Sequence, residues 1–140
     1  MSEAFKTDIL RQYPFPDHNK EKFCAESLVW NRMALKYNIK YYFNKAIYYC
    51  EYLPDGLSAR SVSLRRRSPE NTLTLYAELS KAEIDFIYKI RACINFWRFM
   101  RFDKLGLVVS HRMISFNSIC MAPIGIICHI IDSIKMYRSL

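Results

Sequence analysis

From Met113 to Ile131 the chain carries no formal charge over about 19 residues, close to the roughly 20 that a membrane-spanning helix requires. No other stretch limits the fold so strongly, because it points towards a bilayer as one of its surroundings. Asn117, Pro123, Gly125 and His129 interrupt the run, Arg112 precedes it, and Lys135 and Arg138 follow. The Pro-x-Gly interruption argues against a straight span, so a broken or in-plane helix is predicted here.

The remainder must supply a core. With 140 residues, 51% hydrophobic and 15% aromatic, and only three glycines, the chain has the make-up of one folded domain and not of a disordered segment. Its formal charge of +8 calls for an anionic partner: nucleic acid, a phosphorylated substrate or an acidic membrane surface. The five cysteines, Cys24, Cys50, Cys93, Cys120 and Cys128, are scattered and include no Cys-x-x-Cys pair, which defines neither a zinc pattern nor a disulfide framework. His18, His111 and His129 show no ligand spacing. The N-terminal MSEAFKTDILRQYPFP has no apolar core of the signal-peptide kind. A reduced, cytoplasmic chain is expected.

Composition divides the chain into residues 1–58, mixed and aromatic; 59–104, basic and helical in pattern; and 105–140, an apolar tail that would associate with a membrane. In the first region, Thr7 to Gln12 suits a short helix capped by Thr7 and stopped by Pro14. Tyr13-Pro-Phe-Pro16 must be extended, and a polar loop runs from Asp17 to Lys22. Val29, Met33, Ala34 and Tyr37 recur at helical spacing within Ala25–Tyr37. The aromatic, β-prone runs Ile39–Phe43 and Ala46–Leu53 predict one or two strands, closed by the turn Pro54-Asp55-Gly56.

In the second region, Ser68-Pro69-Glu70 predicts a helix start: a serine cap, a first-turn proline and an acid at the positive dipole end. That helix should end near Ser80. A further amphipathic helix is predicted from about Ala82 to Phe102, with Ile87, Ile90, Ile94 and Trp97 on its apolar stripe and Lys89, Arg91, Arg98 and Arg101 off it. Arg65-Arg66-Arg67 and the Lys89–Lys104 face come with no nucleic-acid recognition motif. Interleaved aromatics and arginines suit an anionic membrane surface better, and nucleic acid is disfavoured.

The chemistry-bearing block is Tyr13–Arg32. A KTDIL-type helix leads to an aromatic-proline turn, then a loop, then the segment EKFCAESLVWNR. In order and spacing this resembles the acceptor-side motif of the family 2 glycosyltransferases of GT-A type. In that family the helix opens on a Glu-Asp pair whose second acid is the catalytic base. Here the hydrophobic register puts Ala25 on the first acid and Glu26 on the second. The resemblance therefore implies Glu26 as the base that deprotonates the acceptor hydroxyl, a role typically contributing about 10²- to 10⁴-fold. It implies Trp30, Asn31 and Arg32 as acceptor contacts: an indole face for a sugar ring and two donors for hydroxyl or phosphate. Glu21 and Lys22 would shape the acceptor loop. The predicted strands and the EYLPDGLS stretch follow in the order the family shows, ending in Gly56-Leu57-Ser58.

In the complete family a nucleotide-binding half precedes this region and ends in an Asp-x-Asp motif holding a divalent metal on the diphosphate. No Asp-x-Asp triplet occurs in this chain. The resemblance thus implies an α+β, partial α/β piece: the acceptor-side fragment of a GT-A glycosyltransferase fold, mostly helical, with one or two short strands and C-terminal amphipathic helices. It implies transfer of a sugar from a nucleotide-sugar donor to a glycan or lipid-linked acceptor, with no activity in isolation. No cofactor would be bound by this chain, while magnesium or manganese and the nucleotide sugar belong to the complete enzyme. The implied partners are the acceptor, a separate donor-binding chain and the cytoplasmic membrane surface. The rivals are a truncated non-catalytic remnant and a membrane-surface interaction module.

Overall fold

The computed structural model describes residues 4–17, 21–38, 51, 53, 54, 56–100, 114 and 116–138, with only the backbone of 116 and 117. Among them are six α-helices: α1 (Thr7–Leu10), α2 (Ser27–Ala34), α3 (Ser61–Arg67), α4 (Pro69–Lys81), α5 (Phe86–Phe99) and α6 (Ala122–Arg138). A 3₁₀ segment, Phe116–Met121, leads into α6.

No strand occurs among the described residues, so the expectation of an α+β, GT-A-type piece is overturned. The fold is mostly α. Its interior is made by helix packed on helix, with α5 lying against both α4 and α6, and no sheet is present there for a strand to extend. The β-prone runs Ile39–Phe43 and Ala46–Leu53 lie outside the described residues except for Glu51 and Leu53, neither of which is in a strand. The turn after them forms as expected, the Gly56 N–H donating to the Leu53 carbonyl at 3.0 Å.

Proline sets the α3–α4 corner. Pro69 disfavours helical backbone in the residue before it, and Ser68 takes φ −129° and ψ 66°. The chain turns there and restarts with Pro69 in the first turn, where a missing N–H costs nothing. Ser68 holds the cap position, but its hydroxyl does not cap α4 as predicted. It is buried and accepts from the Phe23 N–H at 3.2 Å. Thr7 likewise is not a cap: it is the first residue of α1, after Lys6.

The core gathers Ala77 of α4, Phe96, Trp97 and Met100 at the end of α5, and Ile114, with Tyr76, Leu73, Cys93 and Ala122 packed against it. Tyr76 stacks on Phe99 with ring centroids 5.9 Å apart, and the Trp97 Nε1–H donates to the Ser118 carbonyl at 3.0 Å. The predicted stripe of α5 is therefore only partly right. Trp97 is buried, but Ile87 is exposed, and Ala92, Phe96 and Phe99 complete the inner face. Only the C-terminal half of α5 is covered, leaving Phe86, Ile87 and Tyr88 in the open.

Helix α6 runs unbroken through Pro123 and Gly125, which corrects the predicted break. Pro123 falls in the first turn, where no intrahelical N–H is required. Gly125 lies so close to α5 that a β-carbon there would meet the Trp97 Cβ, the Ile94 carbonyl oxygen at 2.7 Å and the Arg98 nitrogen at 3.1 Å. Beside this contact Asp132 is buried and accepts two bonds from Arg98, at 2.6 and 2.9 Å. Arg66 of α3 adds bonds to the His129 carbonyl and the Ser133 hydroxyl. Arg98, which the sequence places off the apolar stripe of α5, is turned inward by this pairing, which also raises its pKa.

Candidate functional site

Helix α2 carries Trp30, Asn31 and Arg32 of the four residues singled out for acceptor chemistry, and Glu26 stands immediately before it. Its inner face, Leu28, Val29 and Met33, is buried. The loop before it is fastened to α4. One Glu21 carboxylate oxygen accepts from the Glu70 N–H at 2.7 Å and the other from the Asn71 N–H at 2.8 Å, so the first turn of α4 is capped by a residue far upstream. The Asn71 side-chain amide returns a bond to the Phe23 carbonyl at 3.0 Å.

Glu26 precedes the first turn of α2 with helical φ and ψ of −54° and −31°. Its carbonyl accepts from the Val29 and Trp30 N–H groups at 3.1 Å. Its side chain is exposed and makes no hydrogen bond or ion pair among the described residues. Trp30, one turn on, is half-buried and stacked on Phe5 with centroids 5.7 Å apart, so one ring face is occupied by the protein. Arg32 is engaged too: Nε and Nη2 donate to the two Glu78 oxygens at 2.9 and 2.6 Å. That pairing raises its pKa. Burial pushes the nearby Cys24 thiol up, against the lowering influence of Arg32. Cys24, Cys93, Cys120 and Cys128 are free thiols.

Two hollows flank α2. The smaller, about 210 Å³, is walled by Asn31, Arg32, Leu35, Glu78 and Glu83. The larger, about 400 Å³, lies where α2, α3, α4 and α5 meet, and is lined by Ser27, Asn31, Arg65, Tyr88, Arg91 and Asn95, among others. Asn31 thus stands between both hollows, Arg32 faces the first, and neither Glu26 nor Trp30 lines either. The four predicted residues do not form one cluster.

Arg65 and Arg91 were visible in the sequence only as parts of basic runs. What distinguishes them is their convergence across two helices, which no local pattern contains. Arg65 lies over the Tyr76 ring at 5.7 Å and Arg91 over the Tyr88 ring at 5.9 Å. Burial raises the Tyr76 phenol pKa, and the nearby Arg65 and Arg98 charges pull it back. Among the described residues no group of three or more His, Cys, Asp or Glu side chains is placed to hold a metal. No family model, curated protein or solved structure matches this chain.

Proposed function

We propose that this chain is the acceptor-side part of an enzyme that transfers a sugar from a nucleotide donor to a glycan or lipid-linked acceptor at the cytoplasmic face of a membrane. One observation carries the reading beyond the resemblance. Of the two glutamates and the arginine in the segment Glu21–Arg32, the fold uses Glu21 as a cap and Arg32 as an ion pair, and leaves Glu26 exposed and unpaired among the described residues. A carboxylate with no evident part in stability is free to serve chemistry.

In that role Glu26 takes the proton from the acceptor hydroxyl as its oxygen forms the new bond to the anomeric carbon. The bond to the donor diphosphate breaks, and the electron pair leaves with the diphosphate. A divalent metal in the donor half would neutralise that leaving group; the residues described here do not fit one, and no step of this chain depends on it.

The test is Glu26→Gln, with the chain assayed beside a donor-binding unit encoded directly upstream, if that reading frame is strand-rich and ends in Asp-x-Asp. Transfer should fall by about 10²- to 10⁴-fold while the helical circular dichroism stays unchanged. Retained transfer removes Glu26 from the role. Absence of such a frame favours the non-catalytic remnant.

A second reading, a membrane-surface module, is favoured by the outer face of α6. Ile124, Ile127, Ile130, Ile131 and Ile134 are all exposed, with Lys135 and Arg138 at the helix end. The segment Ser118–Arg138 is long and apolar enough to cross a bilayer, but crossing would carry the Arg98–Asp132 pair into lipid or break it. An in-plane helix buries the isoleucines and keeps the polar inner face on α5.

A further inference from the structure

We infer that the hollow between α2, α3, α4 and α5 is an anion subsite that takes the phosphate of a phosphorylated sugar acceptor. The identity of that ligand rests on the acceptor-side reading; the anion site itself does not depend on Glu26.

Among the described arginines some have a carboxylate partner, as Arg11 has Asp8. Arg32 pairs with Glu78, and Arg66 and Arg98 pair with Asp132. Arg65 and Arg91, which line the hollow from α3 and α5, have no carboxylate partner among the described residues. Two guanidinium groups with no carboxylate partner among the described residues, the half-buried Arg65 and the exposed Arg91, concentrate positive potential beside one concavity. Their planar forks suit phosphate oxygens, which accept two parallel N–H bonds at once.

Arg65 adds a sharper sign. Its Nη1 is buried and has no hydrogen-bond acceptor. A donor withdrawn from water without a partner is costly and uncommon in folded proteins, and an anion in the hollow would meet it once the guanidinium turns that N–H towards the opening. Each guanidinium also lies over a tyrosine ring, Tyr76 or Tyr88, an arrangement that limits its freedom before any ligand arrives.

The rest of the lining matches a sugar. Asn31, Asn95 and Ser27 offer donors and acceptors for hydroxyl groups, while Leu79, Ile84 and the Tyr88 ring offer apolar surface for the C–H face of a pyranose. A volume of about 400 Å³ suits a small ligand and not a nucleic-acid duplex.

The experiment is an NMR titration of the full chain with glucose 6-phosphate, with glucose and with inorganic phosphate, all at constant ionic strength. Glucose 6-phosphate should bind saturably and more tightly than either component. Arg65→Met and Arg91→Met should each weaken it by about tenfold, with Arg65→Lys between. Arg67→Met removes the same charge from an exposed position on α3 and should leave binding unchanged. A soluble short-chain polyprenyl phosphate sugar identifies the source: tighter binding than glucose 6-phosphate assigns a lipid-linked acceptor, weaker binding a free one, and either supports the site. Equal effects of Arg65→Met and Arg67→Met would reduce the signal to net charge and overturn it. So would glucose binding as well as its phosphate, or no saturation at all. Glu26→Gln should bind the probe like the parent chain, so that a failed base and a failed subsite give different results.

Discussion

Glu21 shows how much of this molecule is decided by single side chains reaching across long stretches of sequence. Its carboxylate satisfies two N–H groups at the start of α4 and places negative charge at the positive end of that helix dipole. Glu21→Ala should therefore lower stability by about 1–2 kcal/mol, and Glu21→Gln by less, read as shifts in the urea unfolding midpoint. No loss in the alanine variant would show that water caps α4 equally well. The sequence signals at this end of α4 were correct in kind and wrong in agent. Ser68-Pro69-Glu70 marks the start because proline and the residue before it act locally. The identity of the capping group depends on a loop brought from far upstream, which no window of neighbouring residues contains.

For whole elements the same division recurs. Helix α2 was legible because Val29 and Met33 stand at helical spacing, and both are buried. The inner face of α5 was legible only near Trp97, because coverage by α4 and α6 at one end, and not the apolar pattern, decides which residues are buried. In α6, Pro123 and Gly125 look like an interruption in the sequence, yet one occupies the first turn and the other lies in close contact with α5. Gly125→Ala gains roughly 1 kcal/mol in helix propensity but forces a methyl group against the Ile94 carbonyl and the Trp97 side chain. A net loss of about 1–3 kcal/mol is expected from overpacking, visible as a lower midpoint in thermal denaturation. A raised midpoint would mean that α5 and α6 separate easily. The register places Glu26 at the opening of α2, where it stands; the convergence of Arg65 and Arg91 is not legible, because it is a product of how α3 and α5 pack.

At the scale of the whole molecule, a charge of +8 and one uncovered isoleucine face belong to the same chain. If α6 lies in the plane of a membrane, as proposed, the protein sediments with vesicles containing phosphatidylserine and is released by high salt. The double variant Ile127→Glu, Ile131→Glu should bind at least about tenfold more weakly with unchanged helicity, since both side chains point outward. Resistance to alkaline carbonate would indicate a crossing helix instead, and a change from dimer to monomer without vesicle binding would assign the face to a second copy. The fastening of the Glu26-bearing segment has its own consequence. Glu21, Phe23 and Arg32 are all tied to residues between Ser68 and Glu78. Anyone grafting EKFCAESLVWNR into a new scaffold would move the carboxylate and lose its address; the portable unit is that segment together with α4.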